Sequence, residues 1–142
     1  VSAQPPVLSE AELPALLARF YGRVRLDPEL GPIFEDAVHD WPAHLARIGD
    51  FWSSVLFGSG RYKGNPFGVH QRHAPRLSPA LFARWLALWE ETTAEMLAPD
   101  AAALLREKAH RIADSLQQGL FFRPEEHGPA GRGRVQAAAP TG

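Results

Sequence analysis

Apolar residues recur along this chain at helical spacing. Leu13, Leu16, Leu17, Phe20, Tyr21 and Val24 fall at i, i+3, i+4, i+7, i+8 and i+11, which is one face of a helix. Ser9 and Glu12 precede that face in capping-box spacing. Pro14 lies just beyond the tolerated first turn of a helix begun there, which predicts a kink or a later start. Asp27-Pro28 ends the pattern. The stretch ELGPIF (29–34) reads as a short turn that delivers Ile33 and Phe34 to the core.

Asp40 is placed to cap a second helix, with Pro42 in its first turn. Its apolar face is Trp41, Leu45, Ile48, Phe51, Trp52, Val55 and Leu56, and His44 falls on the same face. Gly58 and Gly60 stop it. Ser78 and Pro79 open a third helix, whose inner face carries Phe82, Trp85, Leu86, Trp89, Thr93, Met96 and Leu97. Pro99-Asp100 separates it from a fourth, marked by Leu105, Ala109, Ile112, Leu116 and Leu120 and running to about Phe122.

No segment has strand periodicity, so the predicted class is all-α: four long helices with one irregular stretch, YKGNPFGVHQRHAP (62–75), between the second and third. Loops that long are uncommon in compact domains and are usually functional or disordered. This one carries Phe67 and Val69, which favour burial, and two histidines, His70 and His73. Residues 1–8 read as a flexible arm, 9–122 as the folded domain, and 123–142, rich in Gly, Pro and Ala, as a disordered tail.

Composition narrows the chemistry. The 142 residues suffice for one domain, and 45% apolar with 22% charged is ordinary for a globular protein. A formal charge of −1, with both signs mixed, leaves no electrostatic footprint for nucleic acid or an anionic membrane. The absence of cysteine excludes disulfides, thiolate metal sites and thiol catalysis. No apolar run is long enough to span a bilayer, and the N-terminus lacks the pattern of a secretory signal, so the expected compartment is the cytoplasm.

Three polar groups interrupt the apolar faces. His44 lies near a helix N-terminus, where the helix dipole and burial both favour the neutral imidazole. Tyr21 sits mid-helix among apolar neighbours, and an unpaired buried hydroxyl costs about 1–3 kcal/mol. Trp85 brings an indole N–H that can only donate. Each taken singly reads as a core residue bonded to a carbonyl. Together, from three different helices and beside a histidine-bearing loop, they suit a bound group with a polar face in an apolar pocket. Haem is the leading candidate, with one histidine on iron and inward donors for a ligand bound opposite. Other metal readings lack partners. His70-x-x-His73 has no acidic or cysteine ligand nearby, as zinc requires. Glu107 and His110 have the spacing of a di-iron helix but no second copy, so they read as a surface pair. Arg132 and Arg134 are too sparse for a nucleic-acid arm.

The segments FYGRVRLDPELGPIF, DWPAHLARIGDFWSSVLFGSGRYKGNP and LFARWLALWEET, with His70 between the last two, resemble the truncated haemoglobins, and among them the third group. The resemblance runs from about Leu13 to Phe122. It implies a two-over-two helical sandwich around haem b, with His70 as the proximal iron ligand. It implies Tyr21 and Trp85 as distal donors, and His44 at the distal gate with Ile48 beside it. Phe20, Phe34, Phe51, Trp52 and Phe67 would form apolar walls. Tyr62, Lys63 and Arg72 are candidates for the propionates. The segment from His70 to Trp85 is a residue longer than the family pattern and carries the additional His73.

The expected function is binding of O2, CO, NO or other small ligands at ferrous iron. Redox or ligand chemistry, such as NO or peroxide detoxification, is expected rather than O2 transport. A separate reductase would supply electrons, and the protein would be a monomer or weak dimer. Two alternatives belong to other classes: a haem-based sensor acting through a separate partner, and a cofactor-free helical interaction domain.

Overall fold

A computed structural model describes residues 8–121. In them the chain forms α1 (Leu13–Leu26), α2 (Leu30–Ala37), α3 (Trp41–Phe57), α4 (Pro66–Arg72), α5 (Pro79–Met96) and α6 (Pro99–Phe121), with 3₁₀ turns over Glu10–Glu12 and Ala74–Arg76. No strand occurs among the described residues. None of the described helices is long and apolar enough to cross a membrane.

The helix starts follow local chemistry. Ala43 N–H donates to Asp40, Leu81 N–H to Ser78, and both caps are followed by Pro in the first turn. Ser9 makes no side-chain cap; the chain enters through the 3₁₀ turn and α1 begins at Leu13. Pro14 therefore falls inside the first turn, where its missing N–H costs nothing.

Two elements differ from the sequence expectation. Residues 29–34 are not a turn but the start of α2. Asp27, just past α1, accepts from the backbone N–H of Glu29 (3.0 Å) and Leu30 (2.9 Å), supplying the cap that the sequence hides. Pro32 then lies in the first turn and does not break the helix. Ile33 and Phe34 are half-buried rather than fully in the core. The irregular stretch likewise contains a helix, the short α4. Asn65 accepts from Gly68 N–H at 3.2 Å, and Pro66 follows it directly.

The core is built chiefly by α1, α5 and α6. Leu16, Phe20, Val24, Trp89, Leu105 and Ala109 are fully buried within it. Leu8, expected in the arm, is 3% exposed and packs into this core. Residues 1–7 and the predicted tail at 123–142 lie outside the described residues. α6 runs back along α5: Trp89 Nε1–H donates to the Leu105 carbonyl at 3.1 Å, while Phe82 meets Phe121 edge-on at 6.1 Å. α1 crosses α5, with Phe20 packed edge-on against Trp89 at 4.8 Å. Gly31 allows α2 to lie against the end of α1, because a Cβ there would stand 2.5 Å from the Arg25 carbonyl oxygen.

α3 is different. It packs mainly on α1, and α4 mainly on α6. Of the seventeen residues of α3, only Trp52 and Ser53 are buried. Trp41, Leu45, Ile48, Phe51 and Val55 touch the core but remain half-exposed. An apolar helical face left half-covered marks a cleft between two helix pairs, α1 with α3 and α5 with α6.

Candidate functional site

On one side of the cleft, α1, α2 and α3 bring together an aromatic cluster. Tyr21 lies 5.8 Å from Phe34, 6.0 Å from Trp41 and 5.9 Å from His44, measured between ring centres. Trp41 and His44, one turn apart on α3, meet edge-on at 5.3 Å. α5 contributes Trp85, which stacks on Trp89 and packs against Phe20. Burial raises the Tyr21 phenol well above its ordinary pKa, opposed by a hydrogen bond from the Trp85 indole. Tyr21 is thus a neutral hydroxyl with Trp85 as its polar neighbour. Burial, then the charge of Arg47, lowers the His44 pKa and keeps its imidazole neutral.

Two buried polar side-chain atoms have no hydrogen-bond partner among the described residues: His44 Nε2 and Trp41 Nε1. Both belong to this cluster.

α4 carries the candidate iron ligand. His70 sits one turn past Pro66, with its Nδ1 at 2.7 Å from the Pro66 carbonyl oxygen. A carbonyl can only accept, so Nδ1 carries the proton and Nε2 keeps its lone pair. Burial lowers the His70 pKa, with a smaller push from His73; the bond to Pro66 opposes this. The ring lies over Phe82 of α5 at 6.3 Å. His73 instead ends α4, where its backbone N–H bonds back to the helix.

Two cavities flank Asn65. The first, about 440 Å³, is lined by Arg47, Asp50, Arg61, Tyr62, Lys63, Gly64, Asn65, Gly68, Val69 and Arg72. Arg61 is paired with Glu10, whereas Arg47, Lys63 and Arg72 form no ion pair among the described residues. The second, about 390 Å³, is mainly apolar and lies between Phe51, Pro66, Phe67, Ile112 and Leu116. Neither cavity's lining reaches His70, His44 or Tyr21.

The residues singled out in the sequence fall into separate groups. Tyr21, Phe34, His44 and Trp85 gather on one side, and His70 stands on the crossover helix. Phe51 and Phe67 line the apolar cavity, and Tyr62 and Arg72 the basic one. Ile48 is half-buried on α3. Trp52, 2% exposed and stacked on Trp89 at 4.8 Å, packs in the core. Arg47, Arg61 and Trp41 were not among the sequence-derived candidates. Arg47 is one turn past His44, the only sequence signal that placed it near the site.

This all-helical frame, with α1 packed on α3 and α5 on α6, is that of a truncated globin. No protein-family model matches the chain. A curated relative, group 3 truncated hemoglobin ctb of Campylobacter jejuni, is 32% identical over 118 residues, covering 80% of this chain and 92% of the relative. The crystal structure of a group III truncated hemoglobin from Campylobacter jejuni superposes with a TM-score of 0.73 at 30% identity. It covers 89% of this chain and 99% of the other. The chain belongs to the group III truncated haemoglobins.

Proposed function

We propose that the cleft holds haem b and that His70 Nε2 is its axial iron ligand. The observation that carries this reading is the Nδ1 hydrogen bond to the Pro66 carbonyl. It fixes the tautomer, orients the ring and leaves the outer nitrogen free to donate its lone pair. The site's composition fits the group. Phe51, Phe67, Ile112 and Leu116 would receive apolar faces, and Arg47, Tyr62, Lys63 and Arg72 would receive the propionates. The unpartnered His44 and Trp41 nitrogens are groups that a polar ligand would satisfy.

Haem, when bound, supplies a ferrous iron that takes up O2, CO or NO. The chain's own residues then decide how that ligand is held. Tyr21, kept protonated by burial, donates a hydrogen bond to it, and the Trp85 indole donates either to the ligand or to the Tyr21 oxygen. His44, kept neutral, stands at the cleft edge as gate or further partner. Two donors acting on a partly negative ligand contribute about 1–2 kcal/mol each and slow its release. Slow release favours chemistry on the bound molecule, such as NO or peroxide removal, over transport, with a separate protein as reductant.

Absorption spectra in ferric, ferrous and ferrous-CO states test this, for the parent and His70→Ala. The parent should show an intense Soret band and a CO complex. The variant should lose the histidine-ligated spectrum and regain it when imidazole is added. A parent without a Soret band after reconstitution, or a variant with an unchanged one, would overturn the reading.

A further inference from the structure

Trp41 and His44 carry the two orphaned buried polar atoms among the described residues, and they are neighbours. An unmade buried hydrogen bond costs about 1–3 kcal/mol, so two in one cluster need an explanation. Their surroundings offer no protein partner. Phe34 stacks on Trp41 at 6.4 Å, and Tyr21 meets it at 6.0 Å. The Arg25 guanidinium lies 4.5 Å above the Trp41 ring and is itself paired with Glu35 at 3.0 Å. It offers the indole a cation over its face but no acceptor. Asp40, next in sequence, is occupied as the α3 cap.

Chemically the two atoms are complementary. The Trp41 Nε1–H can only donate. His44 is neutral, so its Nε2 either accepts or, in the other tautomer, donates. One small oxygen- or nitrogen-bearing group between them would satisfy both. The Arg47 charge, which acts on His44, favours a group that carries negative charge. Tyr21 and Trp85 form a separate polar pair deeper in the cluster.

We propose that Trp41 and His44 form an outer polar subsite, which holds the far end of small ligands with an acceptor beyond the first two atoms. Azide and nitrite are of this class; CO is not. Trp41 is the donor of the subsite, and the inference rests on the haem reading above. The cluster then has two tiers: an inner pair for a diatomic molecule and an outer pair for a third polar atom.

The test compares the haem-loaded parent with Trp41→Phe, which keeps the ring packing and removes the N–H. Azide binding to the ferric form should weaken about tenfold in the variant, the loss of one charge-assisted hydrogen bond. CO affinity of the ferrous form should stay within twofold. An azide affinity equal in the two proteins would overturn the proposal. A crystal structure of the parent's azide complex is independent of any variant. Trp41 Nε1 should there donate to azide or to one water that touches it, and an indole N–H bonded only to protein would refute the subsite. Failure of both proteins to bind CO would overturn the haem reading and this inference with it.

Discussion

The Asp27 carboxylate and the Arg84 guanidinium, 57 residues apart in sequence, form an ion pair of 2.6 Å across α1 and α5. Asp27 follows the helix that carries Tyr21, and Arg84 directly precedes Trp85. The pair therefore ties the end of α1 to α5 at the residue before Trp85. Asp27 also caps α2 through two backbone N–H groups. Replacing it with Asn keeps part of the cap and loses the charge. Asp27→Asn should cost about 1–2 kcal/mol in chemical denaturation, since Arg84 is half-exposed and recovers some hydration. It should also speed O2 release by loosening Tyr21 relative to Trp85.

The same carboxylate predicts an acid limb of stability. Burial works against its charge, but Arg84 and the N–H groups of Leu30 and Glu29 outweigh that and hold its pKa below the usual range. A depressed carboxyl pKa means the unfolded chain binds the proton more readily. The contribution is complete above the unfolded carboxyl pKa of about 3.9 and disappears as pH falls through the lower native value. Urea midpoints measured from pH 6 down to pH 2 should fall more steeply for the parent than for Asp27→Asn.

Tyr21→Phe removes the hydroxyl without disturbing its ring contacts with Phe20 and Phe34. O2 dissociation, followed by flash photolysis or rapid mixing, should accelerate at least tenfold, as one hydrogen bond of about 1.4 kcal/mol corresponds to that factor. CO dissociation should change far less, because bound CO carries little negative charge. Equal effects on both gases would place the hydroxyl away from the ligand.

Gly119 of α6 sits against Phe67 of α4, and a Cβ there would stand 2.5 Å from the Phe67 ring. Gly119→Ala should push Phe67 aside and shift α4. Overpacking of this kind typically costs about 1–3 kcal/mol. Because α4 carries His70, haem transfer to apomyoglobin should be faster from the variant than from the parent. A lowered melting temperature with unchanged haem transfer would show that α4 tolerates the displacement without moving His70.

The long helices were legible because their signals are local. Asp40 and Ser78 each precede a proline and an apolar period, and both cap as expected. α2 was hidden because its cap, Asp27, stands before Pro28 and reads as the end of the previous helix. Pro32 then looks like a breaker until the helix start is known. α4 was hidden among glycines and prolines, although Asn65-Pro66 is itself a cap followed by a first-position proline. Helical periodicity set Tyr21, His44 and Trp85 on apolar faces beside a histidine-bearing loop, and family resemblance chose His70 over His73 within it. Arg47 and Arg61 escaped notice because only the fold brings them, from α3 and from the α3–α4 connection, to one cavity mouth. Trp41 read as core, and nothing in its spacing reveals that its N–H lacks a partner.

The half-covered inner face of α3 has a consequence for the life of the polypeptide before its prosthetic group arrives. Trp41, Leu45, Ile48, Phe51 and Val55 form a sticky strip that no other described residue fully shields. Newly made copies that outnumber the available porphyrin would present that strip to one another and clump. The soluble yield should therefore follow the supply of porphyrin precursor during synthesis.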